Sequence, residues 1–252
     1  MSSDKYTPVT HVIFDLDGTL IDSEKYLHKA ITDVLRDHGK TMNWELQSLT
    51  TGLFITKSAP IIVENLKLTC TPEEYIRQIL IRYKQYVVGQ IDGVGIKFLP
   101  GVVKLITHLS NNKIPMAICT GSMQETFDFK VERFGDFFKP GNIFQHIVIG
   151  ANDPEVKQNK PMPDPYLVCM NRFNNNKIDP IQPNQFLAFE DSPTGLASAV
   201  SAGCQSILVQ DNPKIDYSYF NIKPILTLRS LEHFKPEEFG LPPFPNQSNN
   251  NH

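Results

Sequence analysis

Cysteine is scarce in this chain: four residues in 252, with a single tryptophan beside them. Cys70, Cys119, Cys169 and Cys204 are scattered without C-x-x-C spacing, which predicts buried thiols and not a disulfide framework. The seven histidines form no H-E-x-x-H or finger arrangement, so no structural zinc site is expected. G-x-x-x-x-G-K-[ST], G-x-S-x-G and G-x-G-x-x-G are all missing. Net charge is −3, so no basic field invites nucleic acid or acidic lipid. No apolar run approaches the ~20 residues of a membrane helix. The opening MSSDKYTPVT has no apolar signal core. These absences lead to the expectation of a cytoplasmic monomer without nucleic-acid or membrane partners.

What remains is an ordinary globular balance, 40% apolar and 20% charged, long enough for a core with an inserted module. The stretch His11 to Asp22, HVIFDLDGTLID, organises it. Val12, Ile13 and Phe14 suit a short buried parallel strand. Asp15 and Asp17 then stand outside its carboxyl end, where open α/β sheets bind ligands. Gly18 lets the chain leave sharply. An Asx-turn is the plain alternative. It leaves unexplained why two carboxylates crowd beside an apolar strand, where like charges repel unless a cation intervenes. Such a pair is a candidate nucleophile, acid/base or metal site.

Residues 23–38 carry apolar positions at helical spacing and stop at Gly39. A second helix covers roughly 55–66, with Pro60 predicting a kink or late start. Thr71-Pro72-Glu73-Glu74 opens a third, with Glu74 expected to close a capping box. Nothing from 23 to 92 reads as a strand. From Phe98 onward strands alternate with helices, the helix after Thr120 spanning Ser122 to Phe134. The pattern predicts a doubly wound (Rossmann-like) parallel sheet as catalytic core, residues 1–22 and 93–252, with 23–92 inserted as an all-helical cap.

Three later stretches carry polar groups. Thr120, Gly121 and Ser122 offer a hydroxyl and then amides at a helix start, suited to a phosphate oxygen or to simple capping. Lys160 precedes a Pro-initiated helix, and a lone lysine there is usually a solvated loop residue. Glu190 and Asp191 follow an apolar strand; their oxygens suit Mg²⁺, and a helix cap is the alternative.

The order D-x-D-G-T, threonine at a strand end, K-P-x-P-D and E-D-S-x-x-G resembles the four signatures of haloacid dehalogenase-superfamily phosphatases. The resemblance implies Asp15 as nucleophile forming an aspartyl-phosphate and Asp17 as general acid and then base. It implies Thr120, Gly121 and Lys160 as phosphate ligands, Lys160 also offsetting charge on Asp15. Mg²⁺ would be held by Asp15, the Asp17 carbonyl and Asp191, with Glu190 alongside. The helical insert resembles the cap of the β-phosphoglucomutase-like branch. PGVVKLITHL, FEDSPTGLASAVSAG and the tail FKPEEFGLPPF resemble animal pseudouridine-5′-phosphatases over roughly residues 10 to 244. That family tends to carry basic residues after the position of Gly52, where this chain has Leu53 and Phe54, with Lys57 nearby. Gly52 and Lys57 are thus the implied cap contacts. The expected activity is Mg²⁺-dependent hydrolysis of a small nucleotide-like or sugar phosphate, pseudouridine 5′-phosphate foremost. A phosphosugar mutase and a non-catalytic ligand-binding relative are the alternatives.

Overall fold

The computed structural model describes residues 6–50, 53–175, 177–210 and 222–245, which fall into two compact units. One comprises residues 1–20, 98–121 and 136–252, the other 21–97 and 122–135.

The first unit is built on a six-stranded parallel sheet: β1 (His11–Phe14), β2 (Met116–Thr120), β3 (His146–Ile149), β4 (Phe186–Glu190), β5 (Gln205–Val209) and β6 (Leu226–Leu228). Its order, β3-β2-β1-β4-β5-β6, is that of a doubly wound Rossmann-like fold. β1, β2 and β4 are buried along their whole length, as expected of parallel strands covered on both faces. Register places Phe14 beside Ile118 on one side and Phe189 on the other. The three strands therefore end within two residues of one another, and Asp15, Thr120 and Glu190 emerge at the same rim. Crossovers are made by α5 (Val102–Asn111), α7 (Asp164–Asn174) and α8 (Pro193–Ser201). Ser192 caps α8 by accepting the Gly195 N–H at 3.1 Å. Phe14 stacks on Phe189 at 4.9 Å between ring centres, and Phe234 meets Phe189 edge-on at 5.0 Å.

Among its described residues the second unit has helices and no strand. It holds α1 (Glu24–Asp37), α2 (Trp44–Thr50), α3 (Ile55–Leu66), α4 (Pro72–Val87) and α6 (Gln124–Val131), and α4 packs against α1, α3 and α6. Tyr26 stacks on Tyr86, and the Tyr86 hydroxyl donates to Asp33 at 2.6 Å. Thr71 caps α4 as expected by accepting the Glu74 N–H. The Glu74 carboxylate turns to Arg77 and Gln78, so the return half of the box is not made. Pro60 sits inside α3, which starts at Ile55. The segment after β2 is α-helical from Gln124 to Val131 and continues as a 3-10 helix over Glu132–Phe138, and residues 122–135 group with this unit. Among the described residues no helix is long and apolar enough to cross a membrane. All four cysteines are free thiols, three of them buried.

In the sheet unit, His11 and His146 flank Phe173 at 4.8 and 4.4 Å, and burial pushes both rings down to about 4. The unfolded chain takes up these protons near pH 6.5, the folded one only near 4. Stability from the neutral pair is therefore complete above pH 6.5 and is lost as the pH falls toward 4. Urea unfolding should show a steeper acid loss for the native chain than for His11→Asn/His146→Asn. Equal slopes would contradict this.

Candidate active site

Lys160 lies in the loop before α7 with its side chain 5% exposed, and its ammonium meets three strand ends at once. It donates to Asp15 Oδ1 at 2.7 Å after β1, to the Cys119 carbonyl at 2.8 Å in β2, and to Glu190 Oε1 at 2.7 Å at the end of β4. An ammonium has three donors, and all three are used. The solvated-loop alternative for this lysine is thereby overturned.

Glu190 Oε1 takes a second donor, the Tyr166 hydroxyl, at 2.6 Å. Burial and the adjacent carboxylate hold that phenol well above its usual value, so it stays a donor. Glu190 Oε2 is buried without a hydrogen-bond partner. It lies against Gly195, where a Cβ would overlap it. A Cβ on Gly18, which has φ +73°, would likewise overlap the Asp191 carboxylate. The two glycines in D-G-T and S-x-x-G thus leave room for two acids, a close-approach role beyond turn formation.

Carboxylate oxygens of Asp15, Glu190 and Asp191 lie within 4.8 Å of one another. Burial raises the Asp15 carboxyl to about 8, with Glu190 and Asp17 adding and Lys160 opposing. Burial alone would lower the Lys160 ammonium, but Asp15 and Glu190 hold it well above its usual value. Three acids beside one fixed ammonium leave net negative charge in a buried place, and one carboxylate oxygen is orphaned. Hard oxygen donors in this arrangement fit a divalent cation such as Mg²⁺. Bound there, it would favour the ionised form of Asp15.

Asp17 is half-buried, two residues beyond Asp15. Thr120 is buried at the end of β2, with Gly121 following. The structure thus gathers Asp15, Lys160, Glu190 and Asp191 into one cluster, with Thr120 at the neighbouring strand end. Lys57 is exposed on α3 of the helical unit, and Gly52 lies outside the described residues. Tyr166 and Asn159 went unnoticed in the sequence. Tyr166 reads as an apolar position of α7, and Asn159 reads as a loop residue.

A family model described as haloacid dehalogenase-like hydrolase matches residues 12–209. A Drosophila melanogaster protein named "Probable pseudouridine-5'-phosphatase" is 36% identical over 236 residues, 94% of this chain and 96% of that one. An Arabidopsis thaliana protein named "(DL)-glycerol-3-phosphatase 1, mitochondrial" is 35% identical over 243 residues, 96% of this chain and 76% of its own. The crystal structure of an Entamoeba histolytica HAD hydrolase, family IA, variant 3, superposes with a TM-score of 0.71 at 21% identity, over 92% of this chain and 97% of that one.

Lys160→Met removes the charge that separates two buried acids, and breaking such a pair costs about 3–5 kcal/mol. The loss should be largest above pH 8 and smaller at pH 6, where Asp15 can take a proton. Urea unfolding at both pH values measures it. A loss below about 1 kcal/mol at pH 9 would show that the ammonium does not hold the site together.

Proposed function

The chain belongs to the haloacid dehalogenase-like hydrolase family and is a phosphatase, and we propose that it is a Mg²⁺-dependent phosphomonoesterase working through an aspartyl-phosphate. Its proposed substrate is a small sugar or nucleotide phosphate, pseudouridine 5′-phosphate first. The observation that carries this reading is the Lys160 ammonium bound to Asp15 and Glu190 beside Asp191.

A phosphate dianion brought against a carboxylate is repelled by roughly 4 kcal/mol per charge pair at ~4 Å and an effective dielectric of ~20. Lys160 offsets that repulsion at the attacking atom. Asp15, Asp191 and the Asp17 carbonyl, with Glu190 alongside, would hold Mg²⁺, which supplies Lewis-acid charge neutralisation on the phosphoryl oxygens. In the first step an Asp15 oxygen forms the bond to phosphorus. The bond to the leaving oxygen breaks, and that oxygen takes a proton from Asp17. In the second step Asp17 accepts a proton from water as its oxygen attacks the same phosphorus, which frees inorganic phosphate and restores Asp15. Thr120 and the following amides hold the non-reacting oxygens. Glu190, fixed by Tyr166, keeps Lys160 aimed at Asp15. Lys57 is retained as the contact for the non-phosphate part of the substrate.

Glycerol 3-phosphate is the second substrate reading. It is favoured by the name of the Arabidopsis relative and by Leu53 and Phe54 standing where pseudouridine phosphatases tend to be basic. Both relatives are named phosphatases, so the mutase reading is not favoured.

A phosphate-release screen with Mg²⁺ across nucleoside and sugar phosphates should yield a clear best substrate, silenced by chelator. Asp15→Asn should reduce that turnover by at least about 10⁴-fold, in the range lost when a nucleophile is removed, while leaving the thermal midpoint near that of the parent. Substantial turnover by the variant would remove Asp15 from its role. Undiminished release in chelator would remove the metal.

A further inference from the structure

We infer that Asn159, which lies outside every signature read above, is a positioning residue that aims two main-chain amides at the phosphoryl group. The inference rests on the phosphatase reading and deepens it.

The Asn159 carboxamide is used at both ends. Its Oδ1 accepts the Lys160 N–H at 2.8 Å, and its Nδ2 donates to the Gly121 carbonyl at 3.0 Å. The preceding carbonyl, that of Thr120, accepts the Gly150 N–H at 2.8 Å. The Asn159 side chain fills the space that Gly150 leaves. A Cβ on Gly150 would overlap Asn159 Oδ1 and stand 3.3 Å from the Thr120 oxygen. Two consecutive carbonyls after β2 are therefore pulled toward the β3 side.

A trans peptide is planar, and its N–H points opposite its carbonyl. With the Thr120 and Gly121 carbonyls held toward β3, the N–H groups of the Thr120–Gly121 and Gly121–Ser122 peptides face the other way. In the strand order that way is β1, which carries Asp15 at its end. Successive amides pointing to one side make a concavity for an oxyanion. Fixing them beforehand spares their reorganisation during reaction. Lys160 Nζ reaches the Cys119 carbonyl just before this turn, so the Asn159–Lys160 pair grips the end of β2 at two places. Without the Asn159 amide the Gly121 carbonyl has lost a fixed donor and is free to turn toward the anion.

The test is inorganic phosphate binding by the full chain with Mg²⁺, measured by calorimetry, beside kcat and KM on the best substrate. Asn159→Ala should weaken phosphate binding about tenfold or more and lower kcat/KM by about 10–100-fold, short of the 10²–10³ lost with a directly bonded donor. Asn159→Asp keeps the size and the acceptor for Lys160 but lacks the donor to Gly121. It should weaken phosphate binding at least as much, and it serves should Asn159→Ala unfold. Gly150→Ala should copy the defect by displacing Asn159, and combining it with Asn159→Ala should cost less than the sum of the two. Phosphate binding within twofold of the parent in both Asn159 variants, or strict additivity with Gly150→Ala, would overturn the inference and leave the phosphatase reading standing. A parent chain that neither binds phosphate nor releases it from any substrate would instead overturn that reading itself.

Discussion

One buried ammonium ties together three central strands of the sheet unit. Lys160 reaches into the carboxyl end of the sheet and gives one hydrogen bond to each of β1's following residue, β2 and β4. Removing it would leave two acids facing each other in a place from which water is largely excluded. Keeping it makes their proximity stable in the ground state, and in the proposed mechanism the same charge serves a phosphoryl group arriving at Asp15. Structure and proposed chemistry thus draw on one interaction. The cost of burying charge, several kcal/mol per ion, is offset only because every donor of the ammonium has an acceptor.

Topology explains why acids so distant in sequence meet. In the order β3-β2-β1-β4-β5-β6 the first strand is central, with β2 and β4 as immediate neighbours. Parallel registers bring residues 15, 120 and 190 to one rim although 105 residues separate the first two and 70 the last two. The acids also need room. Gly18 and Gly195 give it by having no side chain where Asp191 and Glu190 must lie. The glycines of the two signatures are therefore part of the electrostatics as much as of the turns.

Much of this was legible in the residues. The sheet, its order of strands and helices, and the positions of Asp15, Thr120 and Glu190 at strand ends follow from short apolar runs each closed by a polar residue, and Lys160 was marked only by the Pro-initiated helix after it. Other features left no pattern. β6 has three residues at a sheet edge, and α2 has seven with Trp44 exposed, too short for periodicity to register. The grouping of residues 122–135 with the helical unit was also illegible, because alternation of strand and helix says nothing about which body a helix packs on. Tyr166 and Asn159 were missed for one reason: their importance lies in a partner distant in sequence, Glu190 for one and Gly121 for the other.

The proposed mechanism gives Asp15 one role, as the residue to which phosphorus transfers. Rapid acid quench of the enzyme during turnover, followed by borohydride reduction and mass spectrometry, reads that directly. The account predicts homoserine at position 15 and at no other acid. Reduction at a different carboxylate, or none during rapid turnover, would contradict it.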